Sequence, residues 1–101
     1  MNVLIVGGDN LGNIPDKLHQ KGFDRIEHIS GRKGRDKNVN ILMKLEKADL
    51  IIVFVDFVSH GVMKNTKEKI RITNANAIYT KRSWSHLEEY LEKINVGKTN
   101  N

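Results

Sequence analysis

The sequence predicts an α/β domain of three layers: a four-stranded parallel sheet in the order 2-1-3-4 with four helices covering both faces. Three observations predict it. Short β-branched runs alternate with amphipathic segments four times along the chain, and such alternation builds parallel sheets through right-handed crossovers. The run LIIVFV at residues 50–55 is continuously apolar, as a strand covered on both faces must be. The length of 101 residues suits one domain with one core.

Each element has a local reason. Residues 2–6, NVLIV, read as a first strand, and Gly7-Gly8 as the turn that ends it. Residues 11–21 place Leu11, Ile14 and Leu18 at helical spacing. Pro15 falls in a first turn, where its missing N–H is harmless; Asn13 or Asn10 can cap, and Gly22 ends the helix. Residues 24–29 alternate loosely, and Glu27 and His28 suggest an edge strand. SGRKGR at residues 30–35 is a basic glycine loop. Asp36 then caps a helix carrying Val39, Leu42 and Leu45 on one face.

After the third strand, Ser59 caps a helix bearing Val62, Thr66, Ile70 and Thr73, which Asn74-Ala75-Asn76 breaks. Residues 77–79 form a short fourth strand. Ser83 or Ser85 opens the last helix, with Ser85-x-x-Glu88 as a capping box and Trp84, Leu87, Leu91 and Ile94 as its apolar stripe. Residues 1–95 make a single domain, and 96–101 a polar, frayed tail. The two most apolar strands, the first and third, belong at the centre, which gives a shortened flavodoxin-like sheet. Of the aromatic residues Phe23, Phe54, Phe57, Tyr79, Trp84 and Tyr90, most read as core.

The composition narrows the function. Without cysteine there is no disulfide framework, thiolate metal site or cysteine nucleophile. The first residues lack a signal peptide's basic segment, and no stretch approaches the roughly 20 apolar residues of a spanning helix. The expectation is a soluble, cytoplasmic protein with no membrane partner. The net charge of +5 serves either solubility or an anionic partner, a phosphate-bearing small molecule or a nucleic acid. The cations cluster as Arg32, Lys33, Arg35 and Lys37, as Lys64, Lys67, Lys69 and Arg71, and as Lys81 and Arg82. His19, His28 and His86 are scattered without zinc-site spacing.

Ligands of open α/β sheets bind outside the carboxyl ends of the strands, where the strand order reverses. Here that point lies between strands 1 and 3, so the loop at residues 7–13 is expected to face the loop at 56–61. GGDNLG at residues 7–12 resembles a dinucleotide fingerprint, but its second glycine follows the first directly. The second strand ends in Ile29-Ser30-Gly31-Arg32, and a basic residue there suits a phosphate better than a free ribose. Asp56, Ser59 and His60 resemble a compressed triad, yet neighbours on one turn rarely reach that geometry. Ser59 therefore reads as a cap, and His60 as an anion-binding, acid-base or metal-binding group. Asp9 and Asp56 could pair around Mg²⁺ as in a receiver domain, but the fifth strand and its lysine are missing. Lys64, Lys67 and Arg71 share a helix face, either a solvated one or a rim for phosphates.

Three stretches carry a family resemblance: VLIVGGD at residues 3–9, ADLIIVFVDFVSH at 48–60 and the lysine-rich VMKNTKEKI at 62–70. The chain resembles the small bacterial proteins of domain of unknown function family 2325, most specifically in V-D-x-x-S-H. Members usually carry an asparagine after the histidine, where this chain has Gly61. The resemblance implies a Rossmann-like fold and no established activity.

The leading expectation is a binding or regulatory module, not an enzyme, that holds an anionic, nucleotide-like ligand at the switch point. Gly8, Asp9, Asn10 and Gly12 would supply backbone and polar contacts, Ser59 and His60 would bind from the opposite loop, and Lys64 and Arg32 would neutralise charge. The alternatives are an acid-base enzyme with Asp56 and His60 as catalytic groups, a nucleic-acid-binding accessory protein, and a haem or metal protein using His60. The sequence identifies no cofactor. Two open sheet edges leave room for a homodimer.

Overall fold

Strand and helix alternate through the whole chain: β1 (Asn2–Val6), α1 (Ile14–Gln20), β2 (Arg25–Ile29), α2 (Asn38–Lys47), β3 (Leu50–Phe54), α3 (His60–Thr73), β4 (Ala77–Thr80) and α4 (Trp84–Thr99). A single 3-10 turn, Val55–Phe57, follows β3. This computed structural model describes residues 1–8, 10–29 and 38–99, and side chains at all of these except 38–42 and 94–99. The strands lie in the order β2-β1-β3-β4, every pair parallel, with β1 and β3 central. The fold expected from the sequence is the fold observed.

The register explains the apolar patterning. β1 pairs with β3 from Val3↔Leu50 to Val6↔Val53, and all five residues of β3 are buried. Alternate side chains point to opposite faces of a sheet. Val3, Ile5, Leu50, Ile52, Phe54 and Ile78 pack with Ile14 and Leu18 of α1 and Leu87 and Leu91 of α4. Leu4, Val6, Ile29, Ile51 and Val53 pack on the other face with Leu45 of α2 and Ile70 of α3. Each fully buried Val, Leu or Ile contributes about 1.5–3 kcal/mol, so these two layers hold the sheet between helix pairs. Lys21, just past α1, pairs with Glu88 of α4 at 3.6 Å, and Lys17 of α1 sits 5.6 Å from the Trp84 ring centroid, joining the two helices of one layer.

Several boundaries differ from expectation, each for a visible reason. β3 ends at Phe54 because the chain turns into the 3-10 segment, which leaves Val55 exposed although it continues the apolar run. α1 begins at Ile14, and Asn13 at its cap position makes no side-chain bond. The Asn10 Oδ1 instead accepts the Gly12 N–H at 2.9 Å. Ser85 lies inside α4, so the Ser85–Glu88 capping box does not form. The Leu87 N–H donates to the Ser83 carbonyl, and Glu88 is taken by Lys21. β4 extends to Thr80, and α4 runs through Val96 to Thr99. Asp36, the expected cap of α2, lies outside the described residues.

Other expectations about the ends hold. Ser59 caps α3, its Oγ accepting the Val62 N–H at 3.3 Å. Asn74, at φ 57°, closes α3 in the left-handed conformation. Among the aromatic residues, Phe23 and Phe54 are buried, Tyr79 and Trp84 are half-buried, and Phe57 and Tyr90 are exposed, not core. Burial pushes the Tyr79 phenol above its usual pKa, so its ring stays neutral beneath Lys67, whose ammonium lies 5.5 Å away. Among the described residues, no helix is long and apolar enough to cross a membrane.

Candidate functional site

The carboxyl ends of β1, β3 and β4 lie side by side, and the loops that leave them meet. Gly7 and Gly8 follow β1 with φ of 108° and 83°, a region that L side chains rarely adopt. The Gly7 N–H donates to the Ile29 carbonyl at 2.9 Å, and the Gly8 N–H to the Phe57 carbonyl at 3.2 Å. The second bond joins the loop after β1 to the loop after β3, so the two expected partners do face each other. Gly7 is needed there: a Cβ on it would stand 2.6 Å from Val58 Cγ2 and 3.0 Å from the Phe54 carbonyl oxygen. The His28 Nε2, on β2, is 3.1 Å from the Gly7 carbonyl oxygen and donates to it as its N–H tautomer.

Arg82, two residues past β4, ties the three loops together. Its backbone N–H donates to Asp56 Oδ1 at 3.1 Å. Its Nη1 donates to the Asn10 carbonyl at 2.8 Å, and its guanidinium carbon lies 4.9 Å from the Phe57 ring centroid. Gly8 leaves room for this side chain, since a Cβ there would come within 3.3 Å of Arg82 Cδ. The Asp56 carboxylate thus anchors the loop after β4. Asp56, Ser59 and His60 form no hydrogen bond with one another among the described residues, so no triad or dyad is assembled.

On the other side of the loop after β3, α3 begins. His60, its first residue, is exposed, and Gly61 has open space where a side chain would stand. Lys64 is exposed one turn further on. Among the described residues the only ion pairs are the Met1 ammonium with Asp24 and Lys21 with Glu88. Lys64, Lys67, Lys81 and the Arg82 guanidinium form no ion pair in that set, and the Asp56 carboxylate, bonded to the Arg82 backbone N–H, is the acidic group beside them. Exposed cations of this kind attract anions.

The residues picked from the sequence separate into three groups. Gly8 and Asn10 touch the loop after β3 or Arg82 directly. Gly12 (φ 58°) packs back on Asn10, and Ser59, His60 and Lys64 line the start of α3. Asp9, Arg32 and the rest of the basic loop at 30–37 lie outside the described residues. The Gly8 and Gly12 N–H groups are spent on internal bonds, so these glycines act through shape rather than as donors. Sequence reasoning counted Arg82 as one of a pair of cations with Lys81 and listed Phe57 among aromatics read mostly as core. The usable signal was Arg82's position just past a strand's carboxyl end.

A concavity of about 660 Å³ opens elsewhere, at the amino end of β3 between the ends of α2 and α3. Leu45, Glu46, Ala48, Asp49 and Ile72 are among its lining residues. Its charged groups are acidic, and none of the candidate site residues reaches it. A family model described as an uncharacterized protein conserved in bacteria (DUF2325) matches residues 2–94. No curated protein and no solved structure matches the chain.

Proposed function

The chain belongs to this bacterial family, and we propose that it is a small binding or regulatory module that holds an anionic, nucleotide-like ligand at the carboxyl ends of β1 and β3. The observation that carries the reading is the set of cations, Lys64, Lys81 and the Arg82 guanidinium, that form no ion pair among the described residues beside two directly bonded loops. Arg82 is held in place by the Asn10 carbonyl and the Phe57 ring, and Lys64 stands one turn into α3. At the start of α3 the Ser59 Oγ takes the Val62 N–H and the Ser59 carbonyl takes the Met63 N–H. The earlier amides, of His60 and Gly61, have no such partner among the described residues. Helix N-terminal amides favour negative charge, and Gly61 presents them without a side chain in the way.

In this reading His60 bonds the anion and Ser59 fixes the helix start. Lys64 neutralises charge and Gly8, Asn10 and Gly12 shape the opposite wall, while Asp9 and Arg32, outside the described residues, would add a polar contact and a further positive charge. A cytoplasmic location agrees with a sequence free of cysteine, and the open edges of β2 and β4 leave room for a second copy. The test is a titration with AMP. His60→Ala should weaken AMP binding by about 1.5–3 kcal/mol, the value of one hydrogen bond to a charged group. An affinity unchanged by this substitution, or no binding of AMP to the wild type, contradicts the assignment.

A further inference from the structure

We propose that Phe57 and Arg82 form a stacking platform for a nucleobase, so that the ligand carries a planar ring beside its anionic group. The proposal rests on the anion site argued above and names the chemistry of the ligand's other half. Every residue of β3 is buried, yet the next turn presents Val55 and Phe57 with 41% and 47% of their surface exposed. Both belong to the loop whose Phe57 carbonyl accepts the Gly8 N–H of the loop after β1. A bare phosphate gains nothing from an exposed phenyl ring, and a sugar phosphate gains less than a flat base does. A ligand with a flat apolar face gains most, because aromatic and guanidinium planes are the ordinary surfaces on which bases stack.

Arg82 completes the surface. Its guanidinium lies 4.9 Å from the Phe57 ring centroid, fixed through Nη1 to the Asn10 carbonyl and through the backbone N–H to Asp56. A planar, fixed guanidinium keeps its charge and further N–H donors while its plane takes part in stacking. The platform is small. The chain's other exposed large aromatic side chain among the described residues, Tyr90, belongs to α4 and approaches Lys93 rather than this end of the sheet. One ring and one guanidinium serve a single base, whereas proteins that track single strands need successive aromatic platforms. The geometry therefore points to a mononucleotide and not to a nucleic-acid strand.

Calorimetric titration of the full chain with AMP, GMP, CMP, UMP and ribose phosphate separates the two halves of the argument. At least one of the nucleotides should bind the wild type about tenfold more tightly than ribose phosphate, the worth of one stacked base. Phe57→Ala should bring that nucleotide to the level of ribose phosphate and leave ribose phosphate itself unchanged. Arg82→Lys, which keeps the charge and removes the plane, should also reduce the preference. Because Phe57 is exposed, its replacement leaves both core layers intact, and a thermal melt verifies that the variant is folded. Equal wild-type affinity for all five compounds, or a nucleotide preference that survives Phe57→Ala, overturns the platform and leaves the anion site standing. Failure of the wild type to bind any of them overturns both.

Discussion

Replacing Phe54 by alanine is expected to destabilise the fold by about 3–5 kcal/mol, the usual range for deleting a buried aromatic ring. Phe54 has none of its surface exposed and is the largest fully buried side chain. It sits in the layer formed with Ile14, Leu18, Leu87 and Leu91, at the carboxyl end of β3. The cavity would open where two central elements and two helices converge, so the site has little freedom to collapse. For a domain near 100 residues, such a loss should lower Tm by about 12 °C or more. Thermal unfolding followed by circular dichroism checks it. The contrast with Phe57, three residues later and half in solvent, is the informative control. Phe57→Ala should cost no more than about 1 kcal/mol. Equal losses at the two positions would mean that the strand end has been misplaced.

Gly7→Ala is expected to cost about 2–5 kcal/mol through two effects that act together. At φ 108° a Cβ meets its own backbone, which costs roughly 1–2 kcal/mol. The added methyl would also stand 2.6 Å from Val58 Cγ2 and 3.0 Å from the Phe54 carbonyl oxygen, and overpacking of this kind costs roughly 1–3 kcal/mol. Val58 can shift, but the Phe54 backbone is held in the sheet opposite Thr80. The loop after β3 would therefore be pushed away from the loop after β1, and the Gly8–Phe57 bond is the first to go. Chemical denaturation measures the loss. A variant as stable as the wild type would show that the two loops do not abut as described.

The fold was legible in the sequence because its signals are local and redundant. Continuous apolarity at residues 50–55 marks a doubly covered strand, Ser59 can satisfy an α3 amide from its own side chain, and Asn74 tolerates a left-handed cap. The misplaced boundaries are those decided by distant partners. Val55 is apolar like the residues before it, and the turn that brings the Phe57 carbonyl to Gly8 removes it from β3. Ser85 and Glu88 have the right spacing for a capping box, but Ser85 falls inside α4 and Glu88 finds Lys21 at the end of α1.

The candidate site was legible to a lesser degree. Topology located it, since a 2-1-3-4 order admits one switch point and the two loops beside it carry the unusual residues. The use of each residue was not readable. Glycine at positions 8 and 12 suggests open amides, whereas one amide is taken across the loops by Phe57 and the other by Asn10. Arg82 bonds to a carbonyl 72 positions earlier in the chain, and nothing in the spacing of the sequence announces such a contact. Phe57 shows why residue type alone misleads at strand ends: the same side chain is core at position 54 and half in solvent at position 57.

The central claim is that the carboxyl end of the sheet, and not the acidic groove at its amino end, holds an anionic nucleotide. Amide chemical shifts of the labelled protein, followed while AMP is added, test it most directly. The account predicts saturable shifts at residues 7–12, 55–61 and 81–83. Shifts confined to residues 45–49 and 72–76, around the groove, or a spectrum that AMP leaves unchanged, would contradict it.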